Sequence, residues 1–131
     1  FLARGAHNVT WVWAVNRLHG GESEDIAGLY PGDRYVDWVA VDGFNRGGAA
    51  WRDFETAFGR TIRALVDLAP AKPVMISESG SVETGGDKAA WFREAFQNRL
   101  PQTYPRVRAV VYCEAPRDGF ANSIATSLSA R

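Results

Sequence analysis

The chain is poor in cysteine, in long apolar runs and in net charge, and each shortage excludes a class of protein. A single cysteine, Cys113, excludes an internal disulfide and a thiolate metal cluster. The 15 basic and 15 acidic residues cancel, so electrostatics gives no reason to expect nucleic acid or an anionic membrane as a partner. No apolar run approaches the roughly 20 residues that span a bilayer. His7 and His19 have no partner at metal-ligand spacing, so we expect no metal site.

Aromatic residues, in contrast, are plentiful. They make up 12% of the chain, with five Trp, four Tyr and seven Phe. Core packing is the ordinary explanation for any one of these rings. Several nevertheless stand at predicted strand ends or beside glycine, where sugar-binding proteins present flat surfaces to pyranose rings. Composition alone leaves both interpretations open.

The order of apolar patterns predicts a parallel α/β fold. Strand-like runs cover residues 8–13, 36–42, 73–78 and 107–113. Helical periodicity covers residues 51–68 and 87–100, the second ended by Pro101, and a weak helical pattern covers residues 122–130. Strands that alternate with helices are typical of βα repeats. A full (β/α)8 barrel needs about 250 residues, so the pattern predicts the second half of such a barrel.

The carboxyl ends of the predicted strands carry acids and rings. Strand alternation puts Trp13, Asp42, Glu78 and Tyr112 at these ends, with Glu114 just beyond. Barrel enzymes keep their chemistry at this face. Carboxylates and aromatic rings around one opening suit the cleavage of a sugar polymer, in which one carboxylate serves as acid/base and another as nucleophile or base.

Glu78 is the leading candidate for the nucleophile. It ends an apolar run and is followed by small, turn-forming residues, and a carboxylate at a strand end is rigidly aimed. Alternation puts it on the same face of its strand as Ile76. The same pattern also fits a structural carboxylate that pairs with an arginine or caps the next turn. Structural alternatives remain open for Asp42, which could hold a loop, and for Trp13, which could fill a barrel.

Residues 80–88 have the look of a phosphate-binding loop, since they follow a strand and precede a helix. Lys88, however, stands two positions late, and no Ser or Thr follows it. The carboxylates of Glu78 and Glu83 would repel phosphate groups. We therefore expect no nucleotide site. The acidic cluster Glu22, Glu24 and Asp25, within the long loop 15–34, is interpreted as a solvated surface.

Five short motifs follow one another in order and cover almost the whole chain. They are Asn8-Val-Thr-Trp-Val-Trp13, Tyr30-Pro-Gly-Asp33, Tyr35-Val-Asp-Trp-Val-Ala-Val-Asp42-Gly-Phe-Asn45, Lys72-Pro-Val-Met-Ile-Ser-Glu78 and Lys88-Ala-Ala-Trp91. Each is weak alone, but the succession resembles glycoside hydrolase family 26, whose best-known members are secreted β-1,4-mannanases. The resemblance implies a (β/α)8 barrel in which the present strands are numbers 5 to 8. Residues 1–131 would then be a partial catalytic domain.

The resemblance also implies roles for individual residues. Glu78 aligns with the nucleophile of a retaining hydrolase, and the acid/base glutamate is expected upstream of Phe1, so this stretch alone should be inactive. Phe44 stands where the family usually has a tyrosine that hydrogen-bonds the nucleophile. Trp13, Asp42, Phe44 and Tyr112 are expected to bind substrate.

The resemblance further implies a setting for the protein. The expected partner is a polysaccharide substrate, and no cofactor is expected. The full-length protein is expected to be secreted and monomeric. Two alternatives stay open: a non-catalytic carbohydrate-binding remnant, and a related retaining barrel hydrolase that acts on glucan or xylan.

Overall fold

One parallel sheet organises the chain. The computed structural model describes residues 2–20, 25–114 and 123. Its strands are β1 (Val12–Asn16), β2 (Trp38–Asn45), β3 (Val74–Ser81) and β4 (Val107–Tyr112), in the order β1-β2-β3-β4. All neighbouring pairs are parallel, so the four carboxyl ends lie along one edge of the sheet. The predicted parallel α/β arrangement is confirmed. The predicted helix at 122–130 and the acidic residues Glu22 and Glu24 lie outside the described residues, apart from Ser123.

Helical segments connect the strands. One short turn, α1 (Ile26–Leu29), follows β1, and α2 (Arg60–Leu68) follows β2 after a π-helical start at Glu55–Gly59. After β3 comes α3 (Lys88–Arg93), which the Asp87 side chain caps by accepting from the Ala90 N–H at 2.8 Å. Within the described part of the chain, no helix has the length and apolar character that crossing a lipid bilayer demands.

The sequence predicted that the helix beginning with α3 ends before Pro101, and this prediction is wrong. The helix continues as the π-helical segment Glu94–Thr103, with Pro101 inside it. A proline ring clashes with the carbonyl oxygen four residues earlier in a regular α-helix. The wider π turn gives that ring more room.

The core lies on one side of the sheet, beneath α2 and α3. Alternate residues of β2 and β3 enter it and meet aromatic and aliphatic residues of the helical segments. The buried members include Val39, Val41, Val74, Ile76, Phe54, Phe58, Ile62, Leu65 and Trp91. Because strand side chains alternate, Asp42 is on the opposite face from Val41. The helices therefore leave the other face of β2 available to a site.

Strand β1 begins later than the sequence predicted. The backbone of Trp11 is held before the ladder starts: its N–H donates to Asp37 Oδ2 at 2.7 Å, and its carbonyl accepts from the N–H groups of Asp37 and Trp38. Pairing with β2 runs from Val12 to Asn16. The predicted strand 8–13 is thus displaced, and Asn16 rather than Trp13 stands at the carboxyl end.

A polar cluster joins α2 to the helical segment after α3. The Tyr104 hydroxyl donates to Glu55 Oε2, and Arg63 Nη1 donates to Tyr104 Oη at 2.6 Å and to Glu55 Oε1 at 2.7 Å. Burial raises the pKa of Glu55, but the hydrogen bonds from Tyr104 and Arg63 outweigh it, so the pKa is lowered overall. Burial and the bond to Glu55 raise the pKa of Tyr104 to about 12.

Replacing Tyr104 by Phe should lower the free energy of unfolding by about 1–2 kcal/mol near neutral pH, because a charged acceptor loses its hydrogen bond. Since folding lowers the pKa of Glu55 from its ordinary 4.5, this contribution is present above that value and is lost as the pH falls through the folded pKa. The variant should therefore lose less stability on acidification than the wild type. Urea unfolding of the natural protein that carries this sequence, at neutral and acid pH, measures both effects.

The matched control is Tyr35→Phe, because Tyr35 is 57% exposed. Equal losses of stability in the two variants would contradict the proposed contribution of the Tyr104 hydroxyl.

Candidate active site

A cleft of about 820 Å³ opens at the carboxyl end of the sheet, around β1, β2 and β3. It brings together four of the five predicted site residues: Trp13, Asp42, Phe44 and Glu78. Other lining residues come from the end of β1 and the segment after it, from α1, and from the residue that follows β2; they include Asn16, Arg17, His19, Ile26, Leu29 and Arg46. The site therefore combines carboxylates, cations and aromatic or aliphatic surface.

An extra residue in β3 sets the direction of Glu78. Val41 lies opposite Ile76 and Asp42 lies opposite Glu78, so Ser77 has no counterpart on β2. The register with β4 shifts over the same part of β3. This β-bulge interrupts the alternation: Ile76 is buried among the core residues, whereas Glu78 lines the cleft. The prediction that Ile76 and Glu78 share a face is wrong, because period-two counting does not allow for a bulge.

Asp42 and Glu78 lie on adjacent strands and are in register. Neighbouring strands are about 4.8 Å apart, so the two side chains enter the cleft side by side. The Ser77 hydroxyl donates to Asp42 Oδ1 at 2.6 Å. The cleft thus holds two carboxylates side by side on neighbouring strands.

The aromatic residues Trp13 and Phe44 line the same cleft as these carboxylates. Trp13 meets Tyr30 edge to face at a centroid distance of 5.0 Å. The Tyr30 hydroxyl in turn donates to Asp33 Oδ1 at 2.8 Å. Burial, together with this bond, raises the pKa of Tyr30 to about 12, so the hydroxyl remains a donor. Phe44 follows Asp42 by two residues and therefore shares its face.

Tyr112 is placed elsewhere. It is absent from the cleft lining; its register partner is Ser79, and its ring centroid lies 5.2 Å from that of Phe92. Its hydroxyl donates to the Ser81 carbonyl at 3.2 Å and lies 3.3 Å from the Ser81 N–H. Burial is the main cause that raises its pKa. Substrate binding by Tyr112 stays a prediction; the observed contacts hold the end of β3.

The later end of β1 explains two of the lining residues that sequence reasoning missed. Asn16 and Arg17 line the cleft because β1 ends at Asn16 rather than at Trp13. The signal was present, since the apolar run continues to Val15 before the polar Asn16. Arg46 was also missed. Its guanidinium carbon lies 5.7 Å from the Phe44 ring centroid, which puts a cation next to that aromatic surface.

The loops that follow β2 and β3 are tied together at their bases. Asn45 is buried; its Nδ2 donates to Ser81 Oγ at 3.1 Å, and its Oδ1 accepts from the Arg52 N–H at 2.9 Å. Gly47 has a φ of 79°, and a Cβ there would collide with the Thr84 carbonyl. Glycine therefore permits the close approach of the two loops.

Among the residues that the structure describes, no group of three or more His, Cys, Asp and Glu side chains could hold a metal ion.

Comparison with known proteins gives two matches. A family model described as glycosyl hydrolase family 26 matches residues 2–109. Endoglucanase H of Acetivibrio thermocellus is 41% identical over 117 residues, which are 86% of this chain and 13% of that protein. The chain thus spans a small part of the length of this curated relative.

Proposed function

Because the chain belongs to glycosyl hydrolase family 26, we propose that it supplies the nucleophile and part of the substrate cleft of a retaining hydrolase of β-1,4-linked polysaccharide. The observation that carries the proposal is the position of Glu78, opposite Asp42 and within a cleft at the carboxyl end of a parallel sheet. Barrel glycoside hydrolases perform their chemistry with carboxylates at this edge of the sheet.

The proposed reaction is a double displacement. A Glu78 oxygen bonds to the anomeric carbon while the glycosidic C–O bond breaks, and the leaving oxygen takes a proton from an acid/base glutamate. Water then gives a proton to that same glutamate and attacks the anomeric carbon, and the bond to Glu78 breaks. We place the acid/base glutamate N-terminal to these 131 residues, as the resemblance implies. No cofactor takes part.

The other lining residues have supporting roles in this proposal. Asp42 accepts a hydrogen bond from a sugar hydroxyl, and Trp13 and Phe44 offer flat faces to the pyranose rings. A phenyl ring at position 44 has no hydroxyl to donate to the Glu78 carboxylate. Position 44 therefore gives Glu78 no hydrogen bond, and its electrostatic environment is set by other residues.

Mannan is the substrate that we propose first, since the ordered motifs resemble mannanases. Glucan is the second candidate, because the printed name of the 41% identical relative is that of an endoglucanase. Parallel assays on β-mannan, β-glucan and xylan, with equal enzyme and reducing-end detection, decide between them.

The sheet is proposed to be strands 5 to 8 of a (β/α)8 barrel in a secreted protein that works as a monomer. The support is its order: each strand pairs with its successor, and β1 and β4 are the outer members. In a closed barrel both would pair with further strands. The 131 residues expressed alone should then lack hydrolytic activity and a cooperative melt, because open edges and an incomplete core would remain. A cooperative, monomeric melt would contradict this proposal.

The substitution Glu78→Ala tests the nucleophile in the natural protein that carries this sequence. Activity on the preferred polysaccharide should fall by roughly three orders of magnitude or more, since both steps of the reaction need this carboxylate. Added azide should partly restore turnover of an activated aryl glycoside, because the small anion can occupy the vacated space. The product should be a glycosyl azide with the anomeric configuration opposite to that of the substrate.

Glu94→Gln is the matched control, since Glu94 pairs with Arg99 on the helical segment and does not line the cleft. Its activity should equal that of the parent. Full activity of Glu78→Ala would contradict the mechanism. A parent that binds glycan and cleaves none would instead support the carbohydrate-binding remnant.

A further inference from the structure

The β-bulge in β3 contains Ser77, whose side chain contacts the Asp42 carboxylate. We infer that Ser77 is a positioning residue that holds the Asp42 carboxylate and thereby keeps Glu78 aimed into the cleft. This inference rests on the proposed function of Glu78. It starts from one contact, the hydrogen bond from Ser77 Oγ to Asp42 Oδ1 at 2.6 Å.

The bulge gives this bond its geometric meaning. Ser77 is the unpaired residue between Ile76 and Glu78, and it reaches across to β2 on the face that Asp42 occupies. A bulge puts two residues of one strand opposite a single residue of its neighbour. Here those two are Ser77 and Glu78, and the single residue is Asp42. One carboxylate therefore faces both a hydroxyl donor and a second carboxylate.

The chemistry of the three groups explains why a donor is needed there. Like charges directly opposite each other on paired strands repel. A hydroxyl that donates to a carboxylate makes a short, charge-assisted bond, typically 2.5–2.7 Å long, and the observed distance of 2.6 Å fits this class. The bond engages Oδ1 of Asp42.

Losing the bond has a specific consequence. If the bulge relaxed by one residue, the alternation of β3 would turn Glu78 toward the helix side of the sheet. Even without such a slip, a freed Asp42 carboxylate could rotate toward or away from Glu78. A displacement of about 1 Å in a catalytic group can cost a factor of roughly 100 in rate.

Strand β3 offers a matched control in Ser79, two residues after Ser77. Ser79 is buried, whereas Ser77 is half-buried, and the Ser79 Oγ donates to the Val111 carbonyl of β4 at 2.8 Å. Ser79→Ala thus removes one cross-strand hydrogen bond from β3, as Ser77→Ala does, but it leaves the pair of carboxylates untouched.

The experiment compares Ser77→Ala, Ser77→Thr and Ser79→Ala in the natural protein, with kcat, KM and melting temperature measured for each. Ser77→Ala should lower kcat by roughly 10- to 100-fold and change KM much less, because aim matters most in the transition state. Ser77→Thr, which keeps the hydroxyl, should recover most of kcat. Ser79→Ala should lower the melting temperature about as much as Ser77→Ala and leave kcat unchanged.

Equal kcat losses in Ser77→Ala and Ser79→Ala, or a Ser77→Thr variant as slow as Ser77→Ala, would overturn the inference. Should Ser77→Ala not fold, Ser77→Cys replaces it, since a thiol is a weak donor and the same loss of kcat is expected. The Glu78→Ala variant separates the two proposals. If it abolishes activity while Ser77→Ala behaves like Ser79→Ala, the positioning role alone fails.

Discussion

One extra residue in β3 decides which side of the sheet Glu78 faces, and the proposed chemistry depends on that choice. Before the bulge, β3 sends Ile76 into the core; after it, Glu78 joins Asp42 at the cleft. Strand side chains alternate with a period of two, so a single inserted residue exchanges the two faces. The hydrogen bond from Ser77 to Asp42 spans this irregularity, which links backbone geometry directly to the pair of carboxylates.

The surroundings keep that geometry rigid from both sides. Beneath the sheet, buried aliphatic residues of β2 and β3 pack against Phe54 and Phe58, and interiors packed in this way deform little. At the carboxyl edge, Asn45 and Tyr112 hold the end of β3 through Ser81. A nucleophile must be held close to its productive position, and here core packing and edge hydrogen bonds act on the same strand.

Sequence patterns were sufficient for the parallel α/β arrangement, because it follows from local apolar runs and their spacing. The predicted strand ends at Asp42 and Glu78 are wrong, since β2 and β3 each continue for three more residues, to Asn45 and Ser81. The bulge could not be predicted from alternation, since counting residues assumes a regular strand. The start of β1 depends on Asp37, which holds the Trp11 backbone from a distant part of the chain. Tyr112 was assigned to the opening on alternation alone, although its register partner Ser79 is buried. The bulge, the start of β1 and the place of Tyr112 each depend on strand pairing or on a contact from a distant part of the chain.

The most direct test of Glu78 as nucleophile is to trap the covalent intermediate in the natural protein. A glycoside with fluorine at carbon 2 and a good leaving group slows the release of the sugar from the enzyme, and peptide mass spectrometry then locates the bound sugar. The account predicts one added fluoro-sugar on the peptide that contains Glu78, and none in the Glu78→Ala variant. A sugar attached to another residue, or hydrolysis of the natural substrate with inversion of its anomeric configuration, would contradict it.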